Sequence, residues 1–337
     1  MPVKRLLGLL LAAPVLLLGG CQQMVLLHPE GLVASEQSHM MIVTTAILAS
    51  IIFPVIVACF VVAWRYRASN KRATYDPKWD HSPQVELLVW GWPVLIIMAV
   101  GGISWVGTHR LDPYQPLAQV AKGKPVPAND PPLQVDVVSL RWKWLFFYPQ
   151  YGIATVNQLA APVDRPISFK LTSDAMMDSF FVPTLAGQIY TMPGMQTQLH
   201  AVIDKPGVYR GFSANYSGEG FTDMRFKFLG MTKADFSHWV AKVRSSGQSL
   251  DTASYEHLQQ PERNVPIGYY AHYEPGLYQR ILNRCVKPGQ VCRSMLMAED
   301  ARGGDAPDMA SMQSRNHSGA AADSDPSKTA APVTTVH

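Results

Sequence analysis

Charge is scarce in this sequence. Asp, Glu, Lys and Arg make up 16% of its 337 residues, too few for a disordered chain. The net charge of +4 comes without a basic run long enough to suggest nucleic acid as a partner. Cysteine is scarcer still: four residues are too few for a zinc array, and the length far exceeds that of a disulfide-framework miniprotein. From Gln37 to Trp64 there is no charged residue at all. That gap excludes a wholly cytosolic globular protein, although the mean hydropathy is near zero. Nearly all the strong hydrophobicity lies before residue 110, in three blocks.

The first block has a basic start (Lys4, Arg5), an apolar run from Leu6 to Leu18, and small residues ahead of Cys21. This reads as an export signal over residues 1–20, because its apolar run is too short to span a bilayer. A cysteine directly after Gly19-Gly20 is similar to a bacterial lipoprotein signal, in which Cys21 carries a diacylglyceryl thioether; a plain secretory signal with a chance cysteine is the alternative. Residues 40–64 exceed the roughly 20 apolar residues that cross a bilayer and predict a first transmembrane helix, with Pro54 near its middle. Residues 87–109 predict a second, with Trp90, Trp92 and Trp105 as interfacial anchors and Gly91, Gly101, Gly102 and Gly107 allowing close helix approach. The loop between them (65–86) carries Arg65, Arg67, Lys71, Arg72 and Lys78, whereas residues 21–39 carry Glu30 and Glu36 and no Lys or Arg. Positive charge retained inside puts that loop in the cytoplasm and everything after residue 110 outside the inner membrane.

Residues 110–132 are rich in proline and read as a linker. Then the period changes to two. Leu133 to Leu140, Trp142 to Tyr148, Pro166 to Thr172, Gln196 to Ile203, Gly207 to Ser213 and Met224 to Leu229 read as short strands, which predicts an antiparallel sandwich over residues 133–231. From Thr232 the spacing of Phe236, Trp239, Val240 and Val243 is helical, with Thr232 and Asp235 as a capping box, so residues 232–284 predict an appended helical arm. Glu274 to Leu282 reads as a further helix. Cys285 and Cys292 flank a turn and form either a local disulfide or two free thiols. The composition of residues 285–337 predicts a largely disordered tail.

Two transmembrane helices followed by an external sandwich resemble subunit II of the haem-copper terminal oxidases. The run His81-Ser82-Pro83-Gln84-Val85-Glu86-Leu87-Leu88-Val89-Trp90 with Pro93 is similar to that family's second helix, and Arg141-Trp142-Lys143-Trp144 with Phe146, Tyr148 and Pro149 to its aromatic strand. The resemblance covers about residues 21–283 and implies a cupredoxin-like sandwich. In the cytochrome c oxidase branch that sandwich holds dinuclear copper through an upstream histidine and a loop Cys-x-x-x-Cys-x-x-x-His-x-x-Met, soft donors suited to copper. Here Ser213 and Ser217 stand at the cysteine positions, Phe221 at the loop histidine and Asp178 at the upstream histidine; Met224 alone is retained. Asn215 replaces a glutamate that in the copper-bearing branch helps hold a non-redox metal.

The resemblance thus narrows to the quinol oxidases of bo or ba type. It implies a subunit that binds no cofactor itself, with haems and copper in partner subunit I, further subunits III and IV, membrane lipids around it, and ubiquinol handled by the complex. It also implies that Glu86, at the cytoplasmic start of the second span, sits at a proton-uptake pathway; a helix N-terminal carboxylate favoured by the dipole is the plain alternative. Trp142 matches the electron-transfer position of the copper branch, yet without copper it reads as a core or docking aromatic. Met192 and Met195, with Met309 and Met312 in the tail, suggest copper(I) binding less than packing. His39 and His81 flank the spans at opposite faces, and Cys59 reads as an apolar contact within the first span. Two other functions stay open: a true cytochrome c oxidase subunit, and a membrane-anchored cupredoxin-like scaffold or copper-delivery protein outside any oxidase.

Overall fold

The computed structural model describes residues 24–74, 76–127, 130–287 and 289–302. The expected signal, Cys21, Met309, Met312 and the tail beyond residue 302 lie outside these residues. The chain forms two units, residues 1–282 and 283–337.

In the first unit, α1 (Leu32–Arg65) and α2 (Pro83–Arg110) are the two helices long and apolar enough to cross a membrane. They pack as a hairpin, and Gly107 is where they meet most closely: a Cβ there would sit 2.0 Å from the Met40 methyl. Gly91, Gly101 and Gly102 meet nothing of this chain within 4 Å. The first helix starts eight residues before the expected span because its first turns do not face lipid. Val33, Ala34 and Ser38 are buried, and Val33 belongs to the sandwich core.

The join between helix and sandwich is made by backbone. The Glu30 N–H donates to Thr184 O (3.0 Å), and its carbonyl accepts from the Asp204 N–H (2.8 Å). Gly31 follows because nothing larger fits; a Cβ there would lie 2.5 Å from the Val202 carbonyl. At the same end of the hairpin, just beyond α2, the Pro113 carbonyl accepts from the His200 N–H at 3.1 Å.

Within the expected linker lies a small hairpin, β1 (Gln119–Ala121) with β2 (Lys124–Pro125). The sandwich then uses β3 (Leu133–Leu140), β4 (Lys143–Tyr148), β5 (Ile153–Val156), β6 (Gln158–Pro162), β7 (Ile167–Ser173), β8 (Asp178–Phe181), β9 (Ile189–Thr191), β10 (Thr197–Ala201), β11 (Gly207–Ser213) and β12 (Arg225–Met231). After it come α3 (Lys233–Arg244), β13 (Ser249–Leu250), α4 (Thr252–Leu258), β14 (Gly268–Tyr270), β15 (His272–Tyr273) and α5 (Leu277–Leu282). One sheet has the order β10-β7-β3-β4-β5-β14 and the other β6-β12-β11-β8-β9. The sandwich is not purely antiparallel, as the strand pattern suggested. Strand β3 pairs with β7 in parallel and β6 with β12 likewise. A hydrophobic period of two fixes which face is buried but carries no strand direction.

The arm is more than an appendage. Strand β14 adds to β5 as the sheet's sixth strand, and Phe236, Trp239, Val240 and Val243 of α3 join the core. Gln158 accepts from both Trp239 Nε1 (3.0 Å) and the Tyr269 hydroxyl (2.7 Å), tying sheet to arm. Helix α3 starts at the Thr232 cap, which accepts from the Asp235 N–H at 3.2 Å. The last helix of the first unit is shorter than expected, because residues 274–276 form the turn ahead of it.

In the second unit α6 (Arg293–Asp300) is helical where no structure was expected, and Cys285 and Cys292 are joined in a disulfide.

The join also carries a charge conflict. Asp204 is pushed up to about 6 by burial, then by Asp164 and Glu30, against the pull of Lys205 and Lys124. Glu30 is held by Lys205 Nζ at 2.7 Å. Because the folded state binds the Asp204 proton more tightly than the unfolded chain, stability falls as pH rises from the ordinary carboxylate range through about 6. Asp204→Asn therefore raises the Tm of the purified full-length protein at pH 7.5 and leaves it unchanged at pH 4; an equal shift at both pH values would contradict this origin.

Candidate functional site

Of the positions that the resemblance aligns with copper ligands, Asp178, Ser213, Ser217 and Met224 lie together at one end of the sandwich, and Phe221 stands on the same loop without joining them. Asp178 opens β8, Ser213 ends β11, and Ser217, Phe221 and Met224 lie on the loop leading into β12. Strand pairing brings β8 beside β11, with Ser213 opposite Phe180. Asp178 and Met224 are buried, as are both serines.

Hydrogen bonds fill the position. Ser139, at the end of β3, donates to one carboxylate oxygen of Asp178, and Ser213 donates to the other at 3.3 Å. Thr191 donates to the Asp178 carbonyl at 3.3 Å. Burial pushes the Asp178 carboxyl above the ordinary carboxylate range, and the hydroxyls of Ser139, Ser217 and Ser213 oppose that rise. Ser217 Oγ faces the cluster from outside hydrogen-bond geometry and is buried without a partner. One carboxylate thus links both sheets, since Ser139 belongs to one and Asp178 and Ser213 to the other.

Dinuclear copper needs bridging thiolates and imidazoles. The residues present are hydroxyls, a carboxylate and one thioether, and two of the hydroxyls are engaged with Asp178; they do not fit that centre. Among the described residues no three His, Cys, Asp or Glu side chains converge on a common point. Phe221, at the loop histidine position, packs edge-on against Tyr216. Asn215 donates its amide to the Met177 carbonyl (3.1 Å), and His39 and His81 sit at opposite ends of the hairpin.

Trp142 holds the loop from the other side. It occupies the turn between β3 and β4 at φ 64°, a region a bulky residue seldom adopts. Its Nε1–H donates to Ser217 O at 2.9 Å, and its ring lies so near Gly220 that a Cβ there would come within 2.3 Å. Sequence reading gave Trp142 a core or docking role; its place is as a clamp on the Ser217–Gly220 turn.

Three partners escaped sequence reading. Ser139 was one of eight residues in an alternating strand, and only the packing of the two sheets brings it to Asp178. Arg263 of the arm donates to Asp223 (2.9 Å) and to Glu219 (3.3 Å), bracing the same loop. Buried Lys143 reaches Gln260 O (3.1 Å) and Glu262 (3.4 Å); burial lowers its pKa and Glu262 opposes this. These partners lie 39 to 119 residues apart in the chain, beyond the reach of local pattern.

A cupredoxin-like sandwich carried on two apolar helices and followed by a helical arm defines a class: a membrane-anchored subunit of oxidase type. Residues 149–227 match the family described as cytochrome c oxidase subunit II, periplasmic domain, and residues 244–289 match the COX aromatic rich motif. The chain is 46% identical over 280 residues to the cytochrome bo(3) ubiquinol oxidase subunit 2 of Pseudomonas putida, covering 83% of this chain and 86% of that one, and it belongs to the subunit II family of the quinol oxidases. It is 47% identical to the ubiquinol oxidase subunit 2 of Acetobacter aceti (83% and 87% covered) and 36% identical to the quinol oxidase subunit 2 of Bacillus cereus (83% and 94% covered).

Asp178→Ala strands the Ser139 hydroxyl in a dry interior and removes one acceptor from Ser213, which keeps the Asn215 carbonyl at 3.2 Å, a loss of about 1–3 kcal/mol. The expected result is a lower Tm for the full-length protein, with a smaller fall for Asp178→Asn. A Tm for Asp178→Ala equal to wild type would dismiss the cluster as the fastening of the loop.

Proposed function

We propose that this chain is the non-redox subunit II of a proton-translocating ubiquinol oxidase that reduces oxygen to water. In this reading it anchors to the bacterial inner membrane, holds its sandwich on the periplasmic side and stabilises subunit I, which carries the haems and copper; subunits III and IV complete the assembly. One observation carries the reading: the positions that would accept electrons from cytochrome c are occupied by the Asp178 hydrogen-bond cluster. Electrons then have no route through this sandwich, and a quinol oxidised directly at the partner subunit removes the need for one. The same donor set argues against a cytochrome c oxidase subunit and against a copper-delivery protein. The names of the relatives speak for ubiquinol as donor.

Glu86 is the residue we assign to proton uptake. It is exposed in the first turn of α2, at the end of the hairpin away from the sandwich, where a carboxylate can take protons from water and pass them inward. Glu86→Gln is expected to slow quinol-dependent oxygen uptake of the assembled complex by about tenfold, equivalent to ~1.4 kcal/mol on the limiting step. Unchanged turnover with haem content intact would remove Glu86 from the mechanism.

The lipid anchor at Cys21 belongs to the same proposal. Export would also place Cys285 and Cys292 in an oxidising compartment that maintains their disulfide. Mass spectrometry of the mature N-terminus is expected to find a diacylglyceryl-modified cysteine as the first residue. An unmodified peptide beginning beyond Cys21 overturns the anchor.

A further inference from the structure

The loop joining α1 to α2 lies at the far end of the hairpin from the sandwich, since α1 leaves the sandwich at Leu32 and runs 34 residues, about 50 Å at ~1.5 Å each. There the chain gathers Arg65, Arg67, Lys71 and Arg72, with Lys78 further on, and all five are exposed. The loop's two carboxylates are engaged nearby: Asp80 is paired with His81 at 2.8 Å, and Asp76 accepts from the Lys78 N–H at 3.2 Å. None of the five cations makes an ion pair among the described residues. The α1 dipole accounts for one cation in the last turn, Arg65, and not for the cations beyond it.

The first part of the loop has a defined shape. Asn70 Nδ2 donates to Arg65 O (2.5 Å), closing the turn, and Arg67 Nε donates to Ser69 Oγ (2.9 Å). The Arg67 guanidinium stands over the Trp64 ring at 5.3 Å. Trp64, Tyr66 and Trp79 are exposed large aromatics on the same segment. Such rings sit at the level of lipid headgroups, so the cations beside them stand in the headgroup plane.

We propose that this loop is a binding site for an anionic phospholipid whose headgroup carries two phosphates. Four cations on one eight-residue turn exceed what a single phosphate neutralises, and their summed charge draws an anionic headgroup to the turn. The aromatic rings supply the apolar flank against which the glycerol and upper acyl carbons lie. Specificity comes from charge, so binding weakens with salt. The site depends on the hairpin's place in a membrane and not on which quinol the complex oxidises.

The test uses the full-length protein, delipidated in detergent and titrated with cardiolipin, phosphatidylglycerol or phosphatidylcholine, with binding read by native mass spectrometry. Cardiolipin is expected to bind at least tenfold more tightly than phosphatidylcholine and more tightly than phosphatidylglycerol, with affinity falling between 50 and 300 mM salt on the ~10 Å screening scale. The triple variant Arg67→Gln, Lys71→Gln, Arg72→Gln keeps Arg65 and Lys78 to preserve orientation and is expected to bind cardiolipin about a hundredfold more weakly, at about tenfold or less per lost cation. Arg67→Lys with Arg72→Lys keeps the charge and the topology, and is expected to retain most of the affinity. Equal binding of all three lipids, or unchanged cardiolipin affinity in the triple variant, overturns the proposal. So does cross-linking in the purified oxidase that places Lys71 against an acidic segment of another subunit.

Discussion

The fold turns on a single strand that is buried on both sides. All six residues of β4, from Lys143 to Tyr148, are inaccessible to solvent. Trp144, Phe146 and Tyr148 point into the sandwich, where Trp144 and Phe146 meet Phe180 and Phe226 of the opposite sheet and the Tyr148 hydroxyl donates to Ala160 O at 3.0 Å. Lys143 and Phe147 point the other way, to Glu262 in the arm and to Tyr273 and Tyr278. A half-buried strand needs one partner layer; this one needs two. The arm is therefore part of the core, and the second layer brings Arg263 within reach of the loop.

That arrangement explains how hydrogen bonds and packing hold the loop's shape. A dinuclear centre would fasten the upstream strand and the loop through strong bonds to one point. Fastening is spread over several weaker contacts: Asp178 with two serines inside, Trp142 against buried Gly220, and Arg263 with two carboxylates outside. The surface ion pairs contribute little individually. The buried carboxylate matters more, because its partners have no water to turn to.

The join to the membrane follows a similar logic. Two backbone hydrogen bonds and a glycine hold Glu30 and Gly31 against the strand connections, and the first turns of α1 belong to the sandwich rather than to the lipid. Helix and sandwich are thereby continuous, so a displacement of the sandwich carries directly into the start of α1. The cost is a crowd of carboxylates, Glu30, Asp164 and Asp204, in one place.

Much of this was legible in the sequence. A stretch without charge from Gln37 to Trp64 sufficed for a span, since a bilayer tests only length and polarity. Alternation and an aromatic run marked six strands, and the capping pair Thr232 and Asp235 marked α3. Strands such as Ile153–Val156 and Asp178–Phe181 were too short, and too uniformly buried, to show a period. Strand direction, the true start of α1, the arm's strand in the sheet, and the meeting of Ser139 with Asp178 were decided by tertiary structure alone. The physical reason is range. A sequence records what each residue prefers locally, in lipid, in a helix or on a strand face, whereas a buried carboxylate is satisfied only by residues that packing brings from elsewhere in the chain.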